Sequence, residues 1–338
     1  MMSHMTDTTS YIEHACTLAV SGWDIPAALT LPASRQGAEP LASAILLIPG
    51  SLFSDVNGDY PQWKSYPSVY AHLARQLSAH GHAVYRFAKL GPGTGSVAVD
   101  ADRAATARSW NGRLVIADAA LTAMRAELES RGVRVERVVC AGHSEGAVIA
   151  SQLATSNRAG ELAGVVLLAG PSVGILENMR EQSAAMTPPG ESSRASERLD
   201  AVIGYVRRGE SVPPEYTDGG GMGAAALASM PDDARRYMRD ADATDPQALA
   251  AEMTQRVLVV QGGTDGSVPP HHGEALRRVL EARPAGVERT AYLFVPEVQH
   301  MFKVVPPGVP AQEAFGYPGA TDARVSDGVD RWIRALPA

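Results

Sequence analysis

Between Val135 and Ala154 the chain reads VERVVCAGHSEGAVIASQLA, and this stretch limits what the protein can fold into more than any other. A run rich in β-branched residues stops at Gly142. It passes through His143, Ser144 and Glu145, and resumes after Gly146 as an alanine-rich helical pattern. A strand that turns directly into a helix through Gly-X-Ser-X-Gly has no room for Cβ atoms at the glycine positions. It therefore presents the serine hydroxyl at the end of a sheet. Such turns also serve packing alone, so a chemical reading of Ser144 requires partners elsewhere in the chain.

The surrounding pattern supplies a sheet for that strand. ASAILLIPG (42–50), HAVYRFAKLG (82–91), AGVVLLAGP (163–171), QRVLVVQGG (255–263) and RTAYLFVPE (289–297) are apolar runs, separated by helical periodicity near 66–80, 111–132, 145–156, 272–282 and 323–335. Continuous apolar strands alternating with helices predict a mostly parallel sheet covered on both faces. Residues 14–33 alternate around a Gly-Trp-Asp turn and predict an opening antiparallel hairpin. Asn111 is the candidate cap of the 111–132 helix, and Gly132 its stop.

From Ser172 to Met253 the pattern changes. MTPPGESS, VPPEY and DGGGMG interrupt two or three helices, and DGGGMG fits either a hinge or a surface loop. The expected organisation is a core of residues 1–171 and 254–338 with a helical cap, 172–253, inserted over the site. Covering the sheet edge is the plainer alternative. Six methionines fall in this segment (Met179, Met186, Met222, Met230, Met238, Met253), which suits an adaptable apolar pocket and equally an ordinary small core.

Composition removes several classes of function. The 338 residues carry a formal charge of -7, giving no electrostatic footprint for nucleic acid. The apolar runs fall well short of the roughly 18 residues of a membrane span. The first residues show no secretory pattern, and Cys16 and Cys140 alone make no disulfide framework, which together fit the cytoplasm. No Cys-X-X-Cys, His-Glu-X-X-His or carboxylate cluster suggests a metal, so neither metal nor cofactor is expected. GPGTGS (91–96) lacks the Gly-Lys-Ser/Thr ending of a phosphate loop and reads as a turn.

A serine hydroxyl is a weak nucleophile until a base takes its proton and an acid fixes that base. After such a turn the expected chain order is serine, acid, histidine. VQGGTDGSVPP presents Asp265 after a strand, and VPEVQHMFK presents His300 after the next. Asp265 also fits an ordinary turn aspartate. Glu297 is the second choice of acid, and His271 and His272 compete with His300, although PPHHGEAL resembles a helix start. His143 reads as a packing or hydrogen-bonding residue. An oxyanion would be held by the backbone N–H of Glu145 and by that of Ser51 in LLIPGSLFSD, with Leu52 as the fallback.

With these residues placed, the chain resembles bacterial serine esterases of the α/β-hydrolase fold. GHSEGAVIASQLA, LAGVVLLAGPSVGILENMREQ, YMRDADATDPQALAAEMTQRVLVVQGGTDGSV and VPEVQHMFKVV are similar to successive blocks of one esterase branch, in the right order. The resemblance implies a triad of Ser144, Asp265 and His300 and a cap between the LAGP strand and the acid strand. Two blocks depart from it. Pro49-Gly50-Ser51-Leu52-Phe53 replaces the usual His-Gly-Ser-Gly-Pro. Ala88 and Leu90 replace the charges of an Arg-Tyr-Asp-X-Arg-Gly stretch.

The expected activity is cleavage of a carboxylic ester or related acyl bond of a largely apolar small molecule, through an acyl-enzyme. An acyltransferase, cyclase or thioesterase would use the same residues. A binding protein on the same fold would leave Ser144 unreactive. The sequence is silent on the acyl group, the leaving group and the oligomeric state.

Overall fold

The computed structural model describes residues 10–33, 39–187, 192–218, 223–309 and 311–337. Gly219–Met222 of the glycine-rich stretch, 188–191 of MTPPGESS, and the first nine residues lie outside the described residues. The chain opens on an antiparallel hairpin, β1 (Tyr11–Val20) and β2 (Trp23–Pro32). Its two-residue turn is Ser21-Gly22, both at positive φ (49° and 77°), the backbone that matches the twist of the strands.

Then follow β3 (Ser43–Ile48), α1 (Val69–Ala79), β4 (His82–Phe87), a short β5 (Val97–Ala98), α2 (Ala101–Ala107) and α3 (Trp110–Ser130). Next come β6 (Val138–His143), α4 (Glu145–Thr155) and β7 (Gly164–Leu168). Among the described residues, five α-helices separate β7 from β8 (Arg256–Gly262): α5 (Ile175–Met186), α6 (Ser192–Arg208), α7 (Ala224–Ala228), α8 (Asp232–Asp242) and α9 (Pro246–Glu252). The chain ends with α10 (Pro270–Glu281), α11 (Gly286–Arg289), β9 (Thr290–Val295), α12 (Ala311–Phe315) and α13 (Ala323–Arg334).

The sheet order is β1-β2-β4-β3-β6-β7-β8-β9, with β5 paired to β2. β2 meets β1 and β4 antiparallel, and every pairing from β4 through β3 and β6 to β9 is parallel. All six residues of β3 are buried, as a strand covered on both faces requires. Leu46 and Ile48 face α3 and α4, whereas Ile45 and Leu47 face α1 and α13, so two cores sandwich the sheet. Truncating Leu46 to alanine would cost about 2–5 kcal/mol through the cavity it leaves.

The 111–132 helix begins one residue earlier than its pattern suggested, and its cap is Ser109 rather than Asn111. The Ser109 hydroxyl accepts from the Gly112 N–H at 3.0 Å. The α5–α8 segment carries its own small core around Leu176, Leu199, Val202, Ile203, Val206 and Leu227, and α9 packs against the core under α4. Met238 belongs to it, with Met179 and Met230 packed alongside, while Met253 joins the core under α4. These four methionines thus fill core space, Met186 is exposed, and none of the five lines the cleft beside Ser144. No helix among the described residues is long and apolar enough to cross a membrane.

Candidate active site

Strand β6 sits mid-sheet, and its last residue, His143, hands the chain to α4 through Ser144. The turn is as tight as the two glycines implied. A Cβ on Gly142 would lie 2.0 Å from the Gly146 carbonyl oxygen, and one on Gly146 would lie 2.5 Å from that of Ile48. Ser144 adopts φ 55°, ψ -125°, a conformation a non-glycine residue reaches only under constraint. Its N–H is tied to the Leu168 carbonyl at 2.8 Å, and its carbonyl accepts from the Ala147 N–H at 2.9 Å.

The turn after β8 carries Asp265 and the loop after β9 carries His300, and both are buried. The two carboxylate oxygens of Asp265 divide their work. Oδ1 accepts from the N–H groups of Ser267 and Val268, both at 2.8 Å, while Oδ2 faces His300 Nδ1 at 2.9 Å. A carboxylate on Nδ1 fixes the proton there and leaves Nε2 as the basic nitrogen. Among the described residues no hydrogen bond joins the Ser144 hydroxyl to His300. Such contacts commonly tighten only when substrate is bound.

His143 ties these elements together. Its Nε2 donates to the His300 carbonyl at 3.0 Å, which leaves Nδ1 to accept from the Tyr70 hydroxyl at 3.2 Å. That hydroxyl accepts in turn from the Gly50 N–H at 2.8 Å. Burial and the neighbouring His300 push the His143 imidazole down to about 3, so it is a neutral structural group. Glu297, the other candidate acid, is exposed and paired with Arg324 on the surface at 2.8 Å.

The loop after β3 approaches the nucleophile turn closely, since a Cβ on Gly50 would lie 3.1 Å from that of Ser144. Among the described residues, the N–H groups of Glu145 and Ser51 have no protein acceptor and remain available to an oxyanion. Leu52, the fallback donor, sits at φ 66° with its side chain exposed.

The Glu145 side chain, unremarked in the motif, is the hub of a buried charge cluster. Oε1 accepts from Lys89 Nζ at 2.9 Å and from the Tyr237 hydroxyl at 2.7 Å, with Arg113 Nη2 at 3.3 Å. Oε2 accepts from the Ser51 hydroxyl at 3.1 Å. Burial opposes the carboxylate's charge, yet the two cations and these hydrogen bonds overcome it and hold Glu145 down at about 2. Lys89 is lowered to about 8, because burial outweighs its one anion and Arg113 repels it.

Two signals for this cluster were in the sequence. A carboxylate at the second X of Gly-X-Ser-X-Gly is forced into the core and needs cations. Lys89 stands in the block that departs from the esterase pattern. Nothing in a single sequence points to Arg113 on α3 or Tyr237 on α8.

Ser51, Ser144 and Glu145 line one side of a cleft, with Trp110, Ile175 and Asn178 among the residues around it. The cavity volume is about 30 Å³, room for one or two waters. Trp110 holds the chain after α8 by donating from Nε1 to Thr244 Oγ1 at 2.9 Å.

His271 and His272 sit at the start of α10, and neither lines the cleft beside Ser144. Both face Glu181 of α5, at 3.1 and 2.9 Å. The Ser172 N–H donates to His272 Nδ1 at 3.2 Å, which puts the imidazole proton on Nε2, directed at Glu181. That tautomer makes the group a hydrogen-bonded clasp between α5 and α10 rather than a set of free metal ligands.

A mostly parallel sheet carrying a serine turn after its central strand, with an acid and a histidine on later loops, defines the α/β-hydrolase class. The sequence matches the alpha/beta hydrolase family over residues 45–308, and the chain belongs to that family. It is similar to esterase EstD of Thermotoga maritima, with 26% identity over 309 residues covering 91% of this chain. The match covers 65% of that relative's length. In fold it is similar to carboxyl esterase 2 of the fungus Tuber melanosporum (TM-score 0.55, 15% identity, covering 99% of this chain and 90% of that one). It is also similar to the esterase Pf2001 of Pyrococcus furiosus (TM-score 0.53, 10% identity, covering 97% and 94%).

Proposed function

We propose that this chain is a serine carboxylester hydrolase in which Ser144 attacks the acyl carbonyl. His300 Nε2 takes the serine proton and passes it to the departing alcohol, and Asp265 holds the imidazole in the required tautomer. The N–H groups of Glu145 and Ser51 take the negative oxygen of the tetrahedral intermediate. Water, deprotonated by His300, then attacks the acyl-Ser144 carbonyl, and the acid leaves. The observation that carries this reading is the Asp265 Oδ2–His300 Nδ1 pair at 2.9 Å, in a family member whose central strand ends on a serine at positive φ.

The α5–α9 segment serves as the cap in this reading. The cleft beside Ser144 is small and open to solvent, so a long acyl group would extend beyond it or require this segment to shift. The deciding experiment is treatment with a fluorophosphonate probe, with the modified residue located by mass spectrometry. Adduct on Ser144, abolished in Ser144→Ala and His300→Ala, together with turnover of p-nitrophenyl acetate, is the expected result. A folded protein that takes no label and hydrolyses no ester refutes the proposal and favours a non-catalytic relative.

A further inference from the structure

The charge cluster under Ser51 is larger than holding one carboxylate requires. Arg113 Nη2 lies 2.6 Å from the Pro49 carbonyl oxygen and 3.4 Å from that of Gly50, besides its contact with Glu145. The Gly50 carbonyl and the Ser51 N–H belong to one peptide unit. A cation at the oxygen end of that peptide draws electron density toward itself and makes the N–H at the other end a stronger donor. We propose that Arg113 is the positioning residue of the oxyanion loop, clamping the Pro49 and Gly50 carbonyls so that the Ser51 N–H is aimed and polarised toward the tetrahedral intermediate. This rests on the esterase reading and deepens it.

The charges facing Arg113 support the assignment. Lys89 from the end of β4 and Arg113 from α3 meet a single carboxylate, that of Glu145 on α4. Tyr237 from α8, Tyr70 from α1, Ser51 and the neutral His143 bring no charge to balance the second cation. One positive charge is therefore left over in a buried place, where screening is weak. Arg113 Nε, buried as well, has no acceptor. A surplus buried cation costs folding free energy, and a pair of opposite charges would hold the same loops more cheaply. The arrangement becomes favourable when a negative oxygen forms on the far side of the Gly50–Ser51 peptide, which is the event that the proposed reaction requires.

The test compares wild type, Arg113→Met and Arg113→Lys in steady-state hydrolysis of p-nitrophenyl acetate. Each is also assayed for inhibition by an aryl trifluoromethyl ketone, which forms a tetrahedral oxyanion on serine, and by the corresponding aryl methyl carbinol, which does not. Arg113→Met leaves a Lys89–Glu145 pair of zero net charge, so the fold is expected to persist, checked by circular dichroism. The expected result is a loss of about 10²–10³ in kcat with KM within threefold. The affinity for the ketone falls by a similar factor, while that for the carbinol is unchanged. Arg113→Lys keeps the charge but reaches one carbonyl at a time, and loses about tenfold in kcat.

Equal losses for ketone and carbinol would reduce Arg113 to a structural role and overturn the inference. Unchanged kcat and ketone affinity in Arg113→Met, or in Arg113→Lys if the Met variant does not fold, would overturn it as well. Either result with an active wild type refutes this assignment alone. A wild type that neither turns over nor takes the fluorophosphonate refutes the esterase reading with it.

Discussion

His143 donates from Nε2 to the main-chain carbonyl of His300 at 3.0 Å, so the residue before Ser144 fixes the loop that carries the proposed base. The two rings touch at a tilt of 42°, with centroids 4.7 Å apart. The position of His300 is thereby tied to the same strand end that sets Ser144.

Replacing His143 by alanine leaves the Tyr70 hydroxyl and the His300 carbonyl short of a partner in a buried site. Unsatisfied buried groups cost about 1–3 kcal/mol each, so a lower melting temperature is expected. Loosening the His300 loop by even an ångström should cut kcat by about 10²-fold. Thermal unfolding and steady-state kinetics on one ester check both, and wild-type kcat in the alanine variant would sever the proposed link.

Stability should fall in acid, and the sign follows from two depressed groups. His143 titrates near 6.5 when unfolded and about 3 in the fold, so below pH 6.5 the unfolded chain binds a proton that the native protein refuses. Its contribution is complete above pH 6.5 and is lost as pH falls toward 3. Glu145, near 4.5 unfolded and about 2 folded, acts in the same direction between those values. Urea unfolding between pH 6 and 4.5 should show a slope about 1.4 kcal/mol per pH unit shallower in His143→Gln than in wild type. Parallel slopes would mean that His143 is protonated in the fold.

Lys89, lowered to about 8 by burial and by the repulsion of Arg113 despite its pairing with Glu145, should impose an alkaline limb on activity. As pH rises through 8 the lysine loses its proton, the cluster becomes neutral overall, and the surplus charge behind the oxyanion loop disappears. We expect kcat to decline above pH 8 in wild type. In Lys89→Arg the limb should move beyond the measurable range, because arginine stays protonated. A kcat–pH profile with the same limb in both proteins would assign it to another group.

Tyr237→Phe removes one hydroxyl and keeps the ring that packs on Trp110. Because a hydrogen bond to a charged group contributes about 1.5–3 kcal/mol, the variant should unfold at lower denaturant. Its kcat should drop severalfold as Glu145 loses the donor reaching it from α8. Denaturant midpoint and kcat, measured together, test whether α8 is coupled to the turn at Ser144.

The parts of the proposed site that the sequence points to share a cause: each is dictated by its own neighbours in the chain. Gly142 and Gly146 announce a tight turn, and Asp265 and His300 each follow a strand whose end the parallel sheet places near Ser144. The Ser109 cap was misplaced onto Asn111, because both types accept from helix N–H groups and two positions separate them. The Lys89–Glu145–Arg113–Tyr237 cluster stayed hidden for a different reason. Its members lie up to 148 positions apart, and a single sequence carries no sign of which buried charge meets which.

Helices α5–α8 share a core of their own, whereas α9 packs through Ala250 and Met253 into the core under α4. The α5–α8 stretch is the natural unit of exchange: a different helical insert could be grafted between Gly174 and Asp245, leaving α9 in place, to give the proposed chemistry a new substrate range. Tyr237 sets the condition on the graft. Any replacement would have to bring a hydroxyl donor to the Glu145 carboxylate, or it would change the electrostatics of the reaction along with the shape of the pocket.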